Sequence, residues 1–347
     1  MGRRLDWADT VKGAAIVLVV VFHSAIWSVN AGYAPAWWDQ VTPILETVLM
    51  PPFFLVSGLF AGRWLTRPLP ELLKVKVWPL MWVFMVWSAL MLLILPLEAR
   101  LDGMEREPLK NFLQFFLSPV RPRFEMWFLW TLAVFYIGMW ITRRMPVILQ
   151  LSLATVASIA AFALPAIHEY NVGYSGALKF YVYFLVGLHL RDHVVRFMGA
   201  VRWPVALAYV GVWGLLVVGF VASGMDGRPV AFAAMAALGT MLTLALGVLL
   251  APVERVRVLG TQTLPIYVTH VPIVVVTLTV LVGVGVPGSA DSILGGLVPI
   301  VVAAWAIAVA LVVSRAVAGN VGRYLYEAPP FPERPRLGAS RAGRRAG

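Results

Sequence analysis

Four side chains in this sequence could carry proton chemistry at bilayer depth: the imidazoles of His23 and His270, the carboxyl of Glu46 and the phenol of Tyr267. Each interrupts an apolar run, and an ionisable group at that depth costs at least ~2.5 kcal/mol on insertion scales, so each is a functional candidate. His23 follows Lys12 by eleven residues, about 16 Å and close to three turns of helix, so the two project from nearly the same face. An imidazole takes and gives a proton near neutral pH, which suits a general base. The same ring equally serves as a hydrogen-bond partner between helices. His270 lies between Pro265 and Pro272, where it either lines a cavity on irregular backbone or fixes helix packing. Glu46 either orients His23 and binds an acceptor or reaches the headgroup level. Ser57, Tyr267 and His270 are candidate donors to an oxyanion, and Ser57 with Gly58 and Gly62 also reads as a small-residue packing face.

The elements that must position these groups follow from composition. Hydrophobic residues make up 60% of the 347 and charged residues 13%, against roughly 25% charged in an ordinary soluble domain. The apolar residues fall in runs near twenty long, the length that crosses about 30 Å of hydrocarbon as a helix. The fold expected is an all-α integral membrane protein of about ten transmembrane helices. The spans are placed at 13–30, 42–62, 78–97, 126–141, 147–167, 177–190, 205–222, 230–251, 264–286 and 293–314, with Pro51 and Pro52 interrupting the second. Residues 1–323 form one membrane domain, and 324–347, rich in Pro, Gly and Arg, read as a disordered basic tail.

Twenty-one of the 28 Lys and Arg fall in alternate connections and in the tail, which places both termini in the cytoplasm by the positive-inside rule. The net charge of +11 then answers to topology and anionic lipid rather than to nucleic acid. The longest outer connection, 98–125, carries Glu98, Asp102, Glu105, Glu107 and Glu125 among basic residues and is expected to be well solvated. No cysteine is present, which removes disulfides and a thiolate nucleophile. His189 and His193 stand four apart beside Asp192 with no third ligand evident, so no metal site is expected.

Four segments resemble the acyltransferase-3 family of membrane acyltransferases: Asp9-Thr10-Val11-Lys12-Gly13 leading to His23, the run Met50 to Gly58, Trp127-Phe128-Leu129, and Leu259 to His270. The resemblance implies ten helices and transfer of an acyl group from a cytoplasmic acyl-coenzyme A to a hydroxyl of a carbohydrate or related acceptor. It assigns the base role to His23. Separately, Pro51 and Pro52 should kink the second span beside a substrate cavity, with Ser57 and Trp127 as expected lining residues. Lysine stands at position 12 where the family often has arginine, keeping the charge and losing the planar fork. Lys12, positioned by Asp9 three residues earlier, and Arg63, Lys74 and Lys76 are then expected to attract the donor's phosphates. The competing class is a proton-coupled transporter or flippase, since broken spans with buried His or Glu suit a carrier too. Arginine greatly outnumbers lysine and alanine and valine are abundant, a composition consistent with a bacterial inner membrane. Oligomeric state is left open.

Overall fold

The computed structural model of the chain describes residues 5–122, 125–164, 171–223, 229–288, 290 and 292–331. These are helical, with no strand among the described residues. In chain order the helices are α1 Asp6–Asn30, α2 Trp38–Leu49, α3 Pro51–Leu59, α4 Leu69–Asp102, α5 Pro108–Leu117, α6 Trp127–Thr142 and α7 Val147–Ala163. They continue with α8 Val172–His189, α9 Arg191–Ala200, α10 Trp203–Ala222, α11 Pro229–Leu249, α12 Glu254–Thr261, α13 Thr263–Gly283 and α14 Val298–Val317.

Among the described residues seven stretches are long and apolar enough to cross a membrane: α1, Trp38–Leu59, α4, α10, Val230–Leu249, α13 and Ile293–Val317. The fourth and fifth expected spans correspond to α6 and α7, of 16 and 17 residues, about 25 Å each and short of a full hydrocarbon thickness. α8 fills the place of the sixth and begins at Val172, five residues before the sequence suggested. Asn171 sets that start: its side-chain oxygen accepts from the amides of Gly173 and Tyr174 at 2.9 and 3.2 Å, a helix N-cap.

Proline shapes two other spans. The second expected span is two helices, because Pro51 and Pro52 sit in the first turn of α3, where a missing N–H is no loss, and the preceding helix stops before them. α4 starts nine residues earlier than expected and contains a π-turn at Leu73–Val77 just before Pro79, whose ring nitrogen has no proton to give the preceding turn.

Glycines bring backbones together at two crossings. A Cβ on Gly13 would overlap the Val256 carbonyl of α12, and one on Gly260 would overlap the Asp9 carbonyl of α1. α3 and α8 meet in the same way through Gly58 and Gly187. Such contacts matter in lipid, where close packing rather than water exclusion drives association. α1 is the hub, packing on α2, α11, α12, α13 and α14.

The connections sort to two ends. At one, Asp6 pairs with Arg257 at 3.7 Å, Arg191 donates to the Leu59 carbonyl, and the Trp140 indole donates to the Arg67 carbonyl. We call this the basic end. At the other, the Tyr33 hydroxyl donates to the Val286 carbonyl and the Trp38 indole to the Gly296 carbonyl. Tyr174 donates to Val120 there.

The chain after α14 packs along α4. The indoles of Trp78, Trp82 and Trp87 donate to the carbonyls of Pro329, Tyr324 and Leu325 at 2.9, 2.8 and 2.7 Å, and Phe331 meets the Trp78 ring edge-on. Positions 324–331, which the sequence placed in a disordered tail, are therefore held by three hydrogen bonds; positions 332–347 lie outside the described residues.

Candidate functional site

The histidine pair is the centre of the site. α1 and α13 pack side by side and bring His270 Nε2 to 3.2 Å from His23 Nδ1, across 247 positions of sequence. His270 is fully buried, and its Nδ1 lies 2.6 Å from the Tyr267 carbonyl and 3.2 Å from that of Ile266. Two carbonyls are satisfied only by an N–H, so the His270 proton sits on Nδ1 and Nε2 offers a lone pair. His23 Nδ1, which also lies 3.0 Å from the Val19 carbonyl, must then be the donor toward that lone pair. The free lone pair of His23 is thereby fixed on Nε2, which has no hydrogen-bond partner among the described residues, and the ring remains partly accessible.

A cavity of about 200 Å³ leads toward this pair from the basic end. Lys12, Ser57, Leu80, Leu132 and Thr263 line it, with Ile16, Met50, Phe53, Phe128 and Tyr267 deeper in. His270 is one turn beyond Tyr267 and His23 two turns beyond Ile16, so the pair stands just past the inner end. The walls are largely apolar, which suits a flexible acyl-bearing arm.

The mouth is cationic. Lys12 Nζ lies 2.8 Å from Asp9 Oδ1, as the i, i+3 spacing suggested. Lys76 is one turn from the lining residue Leu80, and Tyr136 one turn from Leu132, toward the basic end. The Lys76 ammonium sits 5.5 Å from the centre of the Tyr136 ring and 5.8 Å from that of Trp64, and the Arg63 guanidinium stacks on Trp64 at 5.1 Å. Cations resting on aromatic faces are held there by attraction to the ring. Lys74 is exposed on the π-turn.

Other expected residues fall elsewhere. Trp127 is not at the cavity: it packs against Phe54, Phe180 and Gly176, between α3 and α8, while its successors Phe128 and Leu129 line the wall. Successive residues of a helix point about 100° apart, so the motif had the right turn and the wrong face. Glu46 makes no hydrogen bond to His23 among the described residues. The Tyr267 hydroxyl donates to the Glu125 carbonyl, so it is engaged. Ser57 lies two turns toward the mouth from Met50, away from the histidines. His189 Nε2 lies 3.1 Å from the Gln150 side-chain oxygen, and no group of three metal-ligating side chains occurs among the described residues.

The acidic residues beyond the histidines were read as a solvated loop, and two are not. α4 runs on to Asp102, so Glu98 is 5% exposed on a packed helix face. One Glu98 oxygen and one Glu125 oxygen are buried without a hydrogen bond. The signal was present in Glu125 lying two residues before the Trp-Phe-Leu segment, but nothing in the spacing showed burial.

The site thus sets a histidine pair just beyond the inner end of a largely apolar cavity in a bundle of apolar helices. The acyltransferase-3 profile, described as an acyltransferase domain, matches residues 5–317, and the chain belongs to that family. No curated protein and no solved structure matches it.

Proposed function

We propose that the protein is an O-acyltransferase that moves an acyl group, acetyl in the simplest case, from coenzyme A on the cytoplasmic side to a hydroxyl of a glycan or related surface or secreted acceptor. The observation that carries this reading is the His23–His270 contact just beyond a cavity whose mouth holds Lys12. In this reading Lys12, Lys76 and Arg63 attract the donor's phosphates, and the apolar walls guide the thioester inward. His23 Nε2 removes the acceptor's hydroxyl proton as the oxygen attacks the thioester carbonyl. Collapse of the tetrahedral intermediate expels the coenzyme A thiolate, which takes the proton back from His23. No acyl-enzyme is needed, consistent with the absence of cysteine.

Membranes containing the wild type or His23→Ala, given radiolabelled acetyl-coenzyme A, test this directly. Label entering the glycan or lipid-linked fraction should fall 10²- to 10⁴-fold in the variant at equal protein level. Equal labelling by both removes the base role from His23. No labelling by either, with His23-dependent uptake of a solute, would transfer the protein to the carrier class.

A further inference from the structure

α5 is built inside out for a helix in water. Leu109, Phe112, Leu113, Phe116 and Leu117 are each 51–71% exposed, and their i, i+3, i+4, i+7, i+8 spacing puts them on one face. The Phe112 and Phe116 rings meet edge-on at 5.2 Å, yet more than half of each residue stays uncovered. The opposite face, turned to the protein, is mainly polar. Asn111 and Gln114 are half-buried there and Ser118 is fully buried, with the Gln114 side-chain oxygen closed off from solvent. Contiguous exposed apolar surface marks an interaction site, and a polar inner face with an apolar outer one suits hydrocarbon rather than water.

The helix runs across the end of the bundle away from Lys12. Gly103, at φ 70°, turns the chain off the axis of α4. Just ahead of α5, Arg106 lies 2.6 Å from Asp102 of α4. Just after it, the Trp130 indole of α6 donates to the Pro119 carbonyl at 2.8 Å and the Tyr174 hydroxyl of α8 to that of Val120 at 2.6 Å. Both ends are therefore tied to the tips of α4, α6 and α8, and the ten residues of α5, about 15 Å long, are too few to cross a bilayer. Leu93, 72% exposed in the span α4, shows that the helix leading into α5 already meets hydrocarbon.

We propose that α5 is an in-plane interfacial helix whose apolar face is sunk among the acyl chains of the leaflet at that end, with lipid as its partner. An ordinary interfacial helix turns its polar side to water; here the protein takes that side. The Lys110–Glu107 pair, at 2.9 Å with both side chains more than half exposed, is left to meet the headgroups. The inference stands on the fold and does not depend on acyl transfer. It moves part of a connection whose charges suggested solvation into the membrane.

The natural chain has no cysteine, so Phe112→Cys, Phe116→Cys, Leu93→Cys and Glu105→Cys can each carry one fluorescent thiol label in the full-length protein. Each is placed in phosphatidylcholine nanodiscs and quenched either by acyl-chain spin-labelled lipid or by aqueous iodide. Labels at 112 and 116 should lose at least about half as much signal to the spin-labelled lipid as the label at 93, and respond to iodide at least about threefold less than the label at 105. Iodide quenching at 112 and 116 equal to that at 105 puts the face in water and overturns the proposal. Weak quenching by both agents at 112 and 116 also overturns it, because a second copy or another protein then covers the face.

Discussion

α1 and α10 are both apolar helices of spanning length, yet they do opposite jobs. In their most apolar windows α1 has mean hydropathy 1.8 and is 56% buried inside the protein, while α10 has 2.3 and is 11% buried. The more hydrophobic helix is the one left to lipid. In water the reverse would hold, because burial there removes apolar surface from solvent; in a bilayer, tails already solvate Leu and Val, and helices associate through small residues and polar contacts. α1 carries Gly13, Ser24, Ser28 and His23 on packed faces, whereas α10 buries only Ala206 and Phe220. Polar and small residues mark the interior of this molecule.

The sharpest way to stress that difference is to remove a polar contact that α1 makes. His270→Ala deletes one of the two acceptors at His23 Nδ1 and leaves only the Val19 carbonyl, 3.0 Å away on the same helix, to hold the ring. Loss of an orienting partner of this kind costs 10- to 100-fold, so the maximal rate of label transfer should fall by that factor. His270→Asn, which keeps a side-chain acceptor, should fall less. Equal loss in both variants would mean that the pair is a packing contact.

The next effect concerns stability. Gly13→Leu places a side chain into the Val256 carbonyl, and overpacking a tight site costs about 1–3 kcal/mol. Gly214→Leu on α10 meets nothing within 4 Å and should be neutral. Thermal unfolding of the two variants in detergent, followed by loss of a folded-state fluorescence or size-exclusion signal, separates them. Similar midpoints would show that the α1–α12 crossing is looser than its backbone distances indicate.

Much of this arrangement was legible before any coordinates. The length of the apolar runs gave the bundle, and the Lys12 to His23 spacing put a cation at the rim of the first helix and an imidazole about three turns deeper on nearly the same face. The tandem prolines announced the break between α2 and α3. What sequence could not carry was contact between distant segments. His23 and His270 were each ambiguous between catalysis and packing, and nothing in their separate segments announced that they meet at 3.2 Å. Burial of Glu98 was hidden because a hydrophobicity window ends a span at the first charged residue, while the helix itself continues to Asp102. Trp127 was misplaced for a simpler reason: a motif fixes a turn of helix, and which of its residues faces a cavity is set by the neighbours.

α4 stands between the two extremes, 33% buried in its apolar window, and part of what covers it is the chain's own end. The indoles of Trp78, Trp82 and Trp87 on α4 each donate to a carbonyl between Tyr324 and Pro329. Leu325 and Tyr326 of that segment also pack against the core, and the indoles add directional donors to the contact. Trp82→Phe keeps most of the ring and removes one donor, and a net hydrogen bond is worth about 1 kcal/mol. The expected result is a small fall in midpoint together with faster protease cleavage between 324 and 331, while the Gly214→Leu protein keeps the wild-type cleavage rate. Unchanged cleavage in Trp82→Phe would show that ring contacts such as Tyr326 on Trp87, rather than the indole donors, hold the segment against α4.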